Sequence, residues 1–456
     1  MRRGAEHIKT SLSPSALKGP LARLKKANAA FAREYPGDSA ERQPVHTVYG
    51  GAQLFQSDSA RKLGEVALRA LRENAPDAAV LGEALGLPPA LAHRVYPRVV
   101  AKLEGEAVED YRIDFEDGYG NRPDAEEDAD AARTAGEMAR GLAAGTLPPF
   151  VGIRVKPLSG ELHARSLRTL DLFVTTLAAL TKGALPPRFV VTIPKVTIPE
   201  HVSTVAVLAA ALERKTRLRA GSLKLEIMVE TPQSILGRDG SSSLRRLVAA
   251  GDGRVTGAHF GTYDYTASCN VTAAHQAMTH PACDFAKHVM QVSLAATGVT
   301  LSDGATNIMP VAPHRAAPGA AITGEQQREN RAAVHRAWRL HFDHVRHSLV
   351  HAYYQGWDLH PAQLPTRYAA VYSFFLEGLE AASRRLKGFT EKAAQATLLG
   401  DVFDDAATGQ GLLNFFIRGL NSGAITPEEA ATTGLTREEM QGRSFLRILE
   451  GRRQGR

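Results

Sequence analysis

Eight strand-like runs alternate with helical segments between residues 45 and 360, and this alternation constrains the fold more than any other feature. Each run is rich in β-branched and aromatic residues and is followed by an amphipathic stretch, as at 189–195 and 200–212. Strands that alternate with helices form parallel sheets, and eight such units favour closure over an open doubly wound sheet. The sequence therefore predicts an α/β protein with a (β/α)₈ TIM barrel.

Helical segments flank the predicted barrel on both sides. Leu17, Leu21 and Leu24 recur at helical spacing before it, and Pro427 followed by two glutamates is a good helix start behind it. We therefore divide the chain into an N-terminal helical extension (1–44), a catalytic barrel (45–373) and a C-terminal helical region (374–456).

Composition and charge exclude several classes of protein. Hydrophobic content of 44% and charged content of 23% are ordinary for a soluble globular protein, and no apolar run is long enough to span a membrane. The net charge of +7 lies largely near the two ends, without a basic face or motif that would indicate a nucleic-acid partner. Only Cys269 and Cys283 are present and no signal core follows the basic first residues, so we expect a cytoplasmic protein.

An unusually acidic strand lies at residues 111–120, which read YRIDFEDGYG. Tyr, Ile and Phe alternate along it, and Asp114, Glu116 and Asp117 crowd its end. Like charges at this density repel, so a stable fold tolerates them where a cation, water or hydrogen-bond donors compensate. The alternative is a strand that runs out into a solvated acidic loop.

Charged residues also end several of the other predicted strands. In a TIM barrel the carboxyl ends of the strands form the active face, and packing alone does not explain charge on several of them. The sequence therefore predicts an active site built from the following strand-end residues: Asp114, Glu116, Asp117, Arg154, Lys195, Glu230, Asp264 and His360.

The residue types at these ends suggest metal-assisted chemistry. Glu230 and Asp264 offer oxygen ligands that suit Mg²⁺, with Mn²⁺ as an alternative, better than zinc. Such an ion chelates a 2-oxo acid and stabilises an enolate beside its carbonyl. Arg154 offers a bidentate fork for a substrate carboxylate, and Lys195 could neutralise an oxyanion or hold an acidic residue in place. For Arg154 and Lys195 a salt bridge at the barrel end is an equally good interpretation.

Two further places are candidates for substrate binding. The turn at Tyr49 and Gly50 could bring backbone amides to a substrate phosphate or carboxylate, although a tight strand-end turn explains it equally well. The second place is His360, which ends the eighth run. The three candidate residues are therefore Tyr49, Gly50 and His360.

Five histidines occur in one helical segment: His335, His341, His344, His347 and His351. The last two have the spacing of a metal-binding pair, but no glutamate stands between them as in zinc proteases, and we favour a polar helix face. The sequence also lacks a Walker loop and a Gly-x-Ser-x-Gly elbow, which disfavours P-loop phosphotransfer and serine hydrolysis.

Six short motifs, in order, resemble a known family. They are DFED at 114–117, GIR at 152–154, IPK at 193–195, VETP at 229–232, FGTYDY at 260–265 and HPAQ at 360–363. The set resembles the citrate lyase β-subunit/HpcH–HpaI aldolase family, which belongs with malate synthase to the phosphoenolpyruvate/pyruvate-binding barrels. The resemblance implies that Glu230 and Asp264 bind Mg²⁺, that Arg154 contacts the substrate carboxylate, and that the acidic strand orders metal-bound water. The long turns and extra helices depart from the compact lyases, and the catalytic aspartate in the C-terminal domain of malate synthases has no convincing counterpart.

The expected activity is that of a Mg²⁺-dependent carbon–carbon lyase or aldolase, or of the reverse condensation, acting through a metal-stabilised enolate. The expected partner is a small anionic substrate, a 2-oxo acid or an acyl-CoA thioester. Alternatives are an enzyme that handles phosphoenolpyruvate or pyruvate by other chemistry, such as phosphoryl transfer, and a non-catalytic binding or scaffold barrel. Direction and the use of CoA stay open. Related barrels commonly oligomerise, so we expect a homo-oligomer.

Overall fold

The computed structural model describes residues 11–38, 41–316, 321–391, 397–399, 402–404 and 406–454. Within these ranges eight parallel strands form one sheet. They are β1 (His46–Gly51), β2 (Asp110–Asp114), β3 (Phe150–Arg154), β4 (Phe189–Ile193), β5 (Lys224–Val229), β6 (Val255–Phe260), β7 (Thr300–Ser302) and β8 (Gly356–Asp358). Their order is β7-β6-β5-β4-β3-β2-β1-β8.

The two edge strands meet and bring the sheet close to closure. Just past β7, Ala305 pairs in parallel with Trp357 of β8, and the Asp303 amide donates to the Gln355 carbonyl at 2.9 Å. The prediction of a (β/α)₈ barrel is confirmed.

Helices surround the barrel and extend beyond it at both ends. They are α1 (Pro14–Glu34), α2 (Ser59–Asn74), α3 (Ala78–Leu85), α4 (Pro89–Gly105), α5 (Asp124–Ala144), α6 (His163–Leu180), α7 (Pro199–Thr216), α8 (Pro232–Ile235), α9 (Leu244–Ala249), α10 (Thr262–Ser268), α11 (Pro281–Leu294), α12 (Gly324–Val350) and α13 (Leu364–Glu391). Behind them follow β9 (Thr397–Leu399), β10 (Val402–Asp404), α14 (Ala406–Asn421), α15 (Pro427–Ala431), α16 (Arg437–Gln441) and α17 (Phe445–Gln454). None of the helices in the described ranges combines the length and apolar character needed to cross a bilayer.

Local sequence signals explain where several helices begin and end. Thr323 opens α12 with a capping box, in which its hydroxyl accepts from the Gln326 amide and the Gln326 side chain accepts from the Thr323 amide. Helix α5 ends at Gly145, whose φ of 66° is the left-handed conformation that glycine adopts without steric cost. These signals agree with the hydrophobic periodicity of the same segments.

Three strand predictions need correction. The predicted run 299–311 is a strand only at Thr300–Ser302. The predicted strand end at Asp264 is wrong, because Asp264 lies in the first turn of α10, where a carboxylate interacts favourably with the helix N-terminus. His360 lies two residues beyond β8 and caps a short 3₁₀ turn.

The predicted end regions are only partly described. Helix α1 has no buried residue, so its leucine stripe is not packed on the barrel, and α13 runs without a break through residue 373. The C-terminal region also contains β9 and β10, an antiparallel pair. Within the predicted end regions, residues 1–10, 39–40, 392–396, 400–401, 405 and 455–456 lie outside the described part of the chain. The domain boundaries stay predictions.

The barrel interior is polar at its middle level. Arg112 of β2 donates to Asp110, to Glu226 at 2.8 Å and to Thr192 at 3.2 Å. His259 of β6 lies 3.2 Å from Glu226. These charges pair with one another beneath the carboxyl ends of the strands, and we call the group the barrel floor.

Candidate active site at the barrel mouth

Four separate elements bring charged residues together above this floor. Glu116 and Asp117 follow β2, Lys195 follows β4, Glu230 follows β5, and Asp264 lies in α10. We call these five residues the mouth cluster. All lie on the face where a TIM barrel carries its active site. The structure thus assembles much of the predicted set, while the roles of its members stay predictions.

Glu230 is the most buried carboxylate of the mouth cluster, with 2% of its surface exposed. The Lys195 amide donates to its Oε1 at 2.6 Å. On the other side Gly261 approaches so closely that a Cβ there would lie 2.4 Å from Glu230 Oε2, so a larger residue would displace the carboxylate. Burial, together with the negative charges of Asp264 and Glu116, raises the pKa of Glu230 to about 8.

The Lys195 ammonium lies among the other carboxylates of the cluster. Its Nζ is 2.5 Å from Glu116 Oε1, 3.4 Å from Asp117 Oδ1 and 3.7 Å from Asp264 Oδ2. Burial favours the neutral amine, but these acids outweigh it and raise the pKa of Lys195. The backbone φ of Lys195 is 49°, a left-handed conformation that is uncommon for a residue with a side chain. Such a conformation persists only where the surrounding contacts stabilise it.

Arg154 binds Asp114 with both arms of its guanidinium. Nε donates to Oδ1 at 2.7 Å and Nη2 to Oδ2 at 2.6 Å, while Nη1 lies 2.8 Å from Glu116 Oε2. Burial favours the neutral acid, but Arg154 and the amides of Glu116 and Gly118 hold the pKa of Asp114 below its usual value. The fork predicted for a substrate carboxylate is therefore engaged by Asp114, and Nη1 is the arm that faces the mouth cluster.

Glu116 lies between Arg154 and Lys195 and pairs with both of them. Within the described residues its Oε2 makes no hydrogen bond, although it lies beside Arg154. Burial raises the pKa of Glu116 and the nearby Asp117 adds to this, against the opposing charges of Arg154 and Lys195. Both oxygens of Glu116 therefore face a cationic group, Oε1 the Lys195 ammonium and Oε2 the Arg154 guanidinium.

A cavity of about 680 Å³ opens beside the mouth cluster. Its lining includes Glu116 and Lys195 of the mouth cluster. It also includes the ammonium of Lys156 and the imidazole of His201. Lys156 donates to the Phe115 carbonyl at 2.7 Å. Sequence reasoning missed Lys156 and His201, although Lys156 stands only two residues after Arg154 in the same predicted strand.

The three predicted substrate-binding residues occupy different positions. The Tyr49 ring lies 4.7 Å from the Arg154 guanidinium. Gly50 lies within β1, not in a turn, and a Cβ there would lie 1.9 Å from the Tyr111 hydroxyl of β2, so close packing between the two strands requires a glycine. His360 Nδ1 accepts from the Ala362 amide at 3.1 Å, and the residue lines a different cavity, of about 770 Å³. Their roles in substrate binding stay predictions.

Ligand groups for a metal are distributed unevenly over the described residues. One set of three His, Cys, Asp or Glu side chains brings its ligand atoms within 4.8 Å of one another, and it is Asp284, His347 and His351, outside the mouth cluster. The mouth carboxylates do not form such a set, because the Lys195 ammonium lies among them. Glu230 and Asp264 remain a two-carboxylate arrangement, which is what Mg²⁺ commonly uses together with water and substrate.

Comparison with known proteins agrees with the fold. The model of a family described as a domain of unknown function, DUF6986, matches residues 24–448. No match to a curated protein was found. Among solved structures, a citrate lyase from Burkholderia xenovorans LB400 is similar with a TM-score of 0.54 and 16% identity, over 87% of this chain and 96% of that chain. This likeness shows a shared fold.

Two further structures resemble the chain more weakly. The protein CitE from Mycobacterium tuberculosis, in complex with magnesium, acetoacetate and coenzyme A, gives a TM-score of 0.45 and 14% identity, over 84% of this chain and 100% of that chain. A malate synthase from Haloferax volcanii gives 0.43 and 13%, over 78% of this chain and 86% of that chain.

Proposed function

The chain belongs to the DUF6986 family, whose description states no activity, and we propose that it is a Mg²⁺-dependent enzyme that makes or breaks a carbon–carbon bond. The substrate is a 2-oxo acid or an acyl-CoA thioester, and the reaction passes through an enolate. The observation that carries this proposal is Glu230, a buried carboxylate at a strand end whose nearest charged neighbours include two more carboxylates.

The donor set fits a hard divalent cation. Burial, and then the charges of Asp264 and Glu116, raise the pKa of Glu230 to about 8, and a bound cation would stabilise its ionised form. Glu230 and Asp264 would hold the ion, and the nearby carboxylate of Glu116 adds negative charge at this place. A magnesium ion here supplies a Lewis acid that polarises the substrate carbonyl and favours the enolate.

The surrounding residues position the substrate and balance its charge. Lys195 carries a positive charge at the mouth and is held by three acids, so a substrate carboxylate or enolate oxygen could take over part of that pairing. Arg154 Nη1 is a second cationic donor that is fixed in place, because Nε and Nη2 are bound to Asp114. It lies 2.8 Å from Glu116 Oε2, so a substrate oxygen would share it with that carboxylate. A preorganised donor of this kind stabilises developing negative charge without reorganising.

The adjacent cavity matches the size of a small substrate with an extended group. Its volume of about 680 Å³ falls in the range of small-molecule sites. Lys156 lines this cavity but is held by the Phe115 carbonyl and by Glu127, 3.2 Å away. Lys195, which also lines the cavity, remains the cation for the carboxylate of the substrate. The rest of the cavity leaves room for a thioester chain.

Hydrogen exchange of pyruvate in heavy water, followed by NMR, tests this proposal. We expect the methyl protons to exchange only when Mg²⁺ is present, and Glu230→Gln to abolish the exchange. The matched control is Glu200→Gln, which removes an exposed carboxylate from the first turn of α7 and should exchange like the wild type.

Other outcomes are equally informative. Magnesium binding without exchange of pyruvate would indicate that the substrate is phosphoenolpyruvate or a CoA thioester instead. Absence of both magnesium binding and exchange would overturn the enzyme proposal and favour a binding or scaffold role.

A further inference from the structure

A second group of metal-ligand side chains lies between α11 and α12, away from the mouth cluster. Asp284 and His288 are four residues apart on α11, and His347 and His351 are four residues apart at the end of α12. Side chains at this spacing lie on the same face of a helix. Each helix therefore directs one pair towards the other.

The structure brings three of these four side chains into contact range. Asp284 Oδ1 lies 2.9 Å from His347 Nε2, and the rings of His347 and His351 have centroids 4.2 Å apart. One ligand atom from each of the three lies within 4.8 Å of the others. The exposed His288 stands beside them, with its ring centroid 5.5 Å from that of His351.

The hydrogen bonds show what each imidazole must do to bind a metal. His347 Nε2 donates to Asp284 Oδ1 at 2.9 Å, so a metal bound at this nitrogen would displace that proton. His351 Nδ1 lies 2.8 Å from the His347 carbonyl, which can only accept, so Nδ1 carries the proton and Nε2 is free to bind a metal. Metal-binding histidines commonly show this arrangement, with the second ring nitrogen fixed by a backbone carbonyl.

The nearby lysine does not fill the site. Lys287 Nζ lies 3.2 Å from Asp284 Oδ1, but it also lies 3.1 Å from the fully buried Asp303. Its charge is therefore already balanced within the fold. Because both Lys287 and His347 contact Oδ1, the other carboxylate oxygen of Asp284 stays available.

The five histidines of the predicted polar helix face have different surroundings. His341 and His344 are buried, and they bond to Asp358 and Thr306 respectively. These two serve packing, and His335 bonds to the Asn74 carbonyl. His347 and His351 differ from them because two imidazoles and the carboxylate of Asp284 lie together, with one ligand atom from each within 4.8 Å of the others.

We propose that Asp284, His347 and His351 bind one divalent transition-metal ion of the Zn²⁺ class and thereby join α11 to α12. Two imidazoles and one carboxylate are a ligand set that zinc takes, with the fourth position filled by water. Imidazole ligands also distinguish this site from the all-oxygen mouth cluster, which suits magnesium. The inference does not depend on the proposed function.

Zinc titration of the full-length, tag-free, metal-depleted protein tests the proposal. Isothermal calorimetry is run with Mg²⁺ in excess, so that the mouth carboxylates are occupied. We expect one equivalent of Zn²⁺ to bind the wild type, and His347→Ala and His351→Gln to weaken binding by about 100-fold or more, since a lost ligand costs more than a lost outer-shell partner. Cobalt substituted for zinc should give the visible absorption of a four-coordinate ion in the wild type and not in these variants.

A matched control excludes general binding to surface histidines. His93 is exposed, and its Nδ1 contacts the carbonyl of Pro89, four residues earlier, at 2.8 Å, as His351 contacts His347. His93→Ala and Glu230→Gln should both bind zinc like the wild type. Zinc should also raise the melting temperature of the wild type but not that of His351→Gln, which retains a polar side chain at the helix end. Equal binding by wild type and His351→Gln, binding lost in Glu230→Gln, or no stoichiometric binding would each overturn the proposal.

Discussion

Glu230 and Asp358 occupy equivalent positions in the barrel but have opposite electrostatic surroundings. Glu230 directly follows β5 and Asp358 is the last residue of β8, and their exposed fractions are 2% and 0%. Asp358 accepts from Arg367 at 2.8 and 3.1 Å and lies 2.9 Å from His341 Nε2. Although burial favours the neutral acid, these partners hold the pKa of Asp358 well below its usual range.

The difference separates a structural acid from a functional one. Asp358 has its countercharge built into the fold, so it ties β8 to the helices behind it. At Glu230, burial and the charges of Asp264 and Glu116 raise the pKa to about 8, because Arg154 and the Lys195 amide only partly oppose them, so a cation from outside would stabilise its ionised form. A strand-end carboxylate therefore indicates a site only when its own chain does not neutralise it.

The largest effect is expected on the Asp358 side of this comparison. Arg367→Ala removes the bidentate partner and leaves a buried charge, which typically lowers the free energy of unfolding by about 3–5 kcal/mol. Denaturant unfolding of wild type and variant at neutral pH measures this. A loss below about 1 kcal/mol would show that Asp358 is not held as a buried ion pair.

Removing the charge of Glu230 should affect metal binding instead of stability. We expect Glu230→Gln to weaken Mg²⁺ binding by about 100-fold, since it removes one of two carboxylate ligands, and to leave the metal-free protein as stable as the wild type or more so. Calorimetric titration with Mg²⁺ and denaturant unfolding in EDTA give the two values. Destabilisation like that of Arg367→Ala would place Glu230 with the structural acids.

The raised pKa of Glu230 also predicts a pH dependence. The folded protein holds this proton more tightly than the unfolded chain, whose ordinary value is 4.5, so the contribution to stability is full below that pH and is lost as pH rises towards 8. Magnesium must displace the proton, so its affinity should rise by about tenfold per pH unit between about pH 5 and 8. Titrations at several pH values test this, and Glu230→Gln should show a flat profile. A flat profile in the wild type would contradict the assignment.

Lys195 offers the smallest and most specific change. Its ammonium competes with a metal for the carboxylates of Glu116 and Asp264, so Lys195→Met should tighten Mg²⁺ binding by about fivefold, the scale of a partly exposed ion pair. At the same time pyruvate exchange should slow, because a cationic group at the mouth is lost. Weaker metal binding in this variant would show that Lys195 orients the ligands and does not compete with the ion.

Much of the fold could be predicted from the sequence, because alternation of strands and helices is a local signal. The eight strands follow from it, and so does the grouping of Glu116, Lys195 and Glu230, since all three stand just past strand ends. The sequence predicts Asp264 at a strand end, but helix α10 begins directly after Gly261 and places Asp264 in its first turn.

The contacts between side chains could not be predicted in the same way. Nothing local shows that Arg154 uses its fork on Asp114, that Asp358 is neutralised by Arg367, or that His347 meets Asp284 from another helix. These pairings depend on three-dimensional neighbours far apart in sequence. They determine which charged side chains are neutralised within the fold and which remain available to bind a metal or a substrate.

The most direct measurement is an anomalous difference map from crystals grown with Mn²⁺, which replaces Mg²⁺ and scatters anomalously. We predict a peak coordinated by Glu230 and Asp264, with the Lys195 ammonium moved away from the carboxylates of Glu116 and Asp264, and no such peak in Glu230→Gln. Strong anomalous peaks at other places in the protein, with none at the barrel mouth, would contradict the claim that these carboxylates form a divalent-cation site.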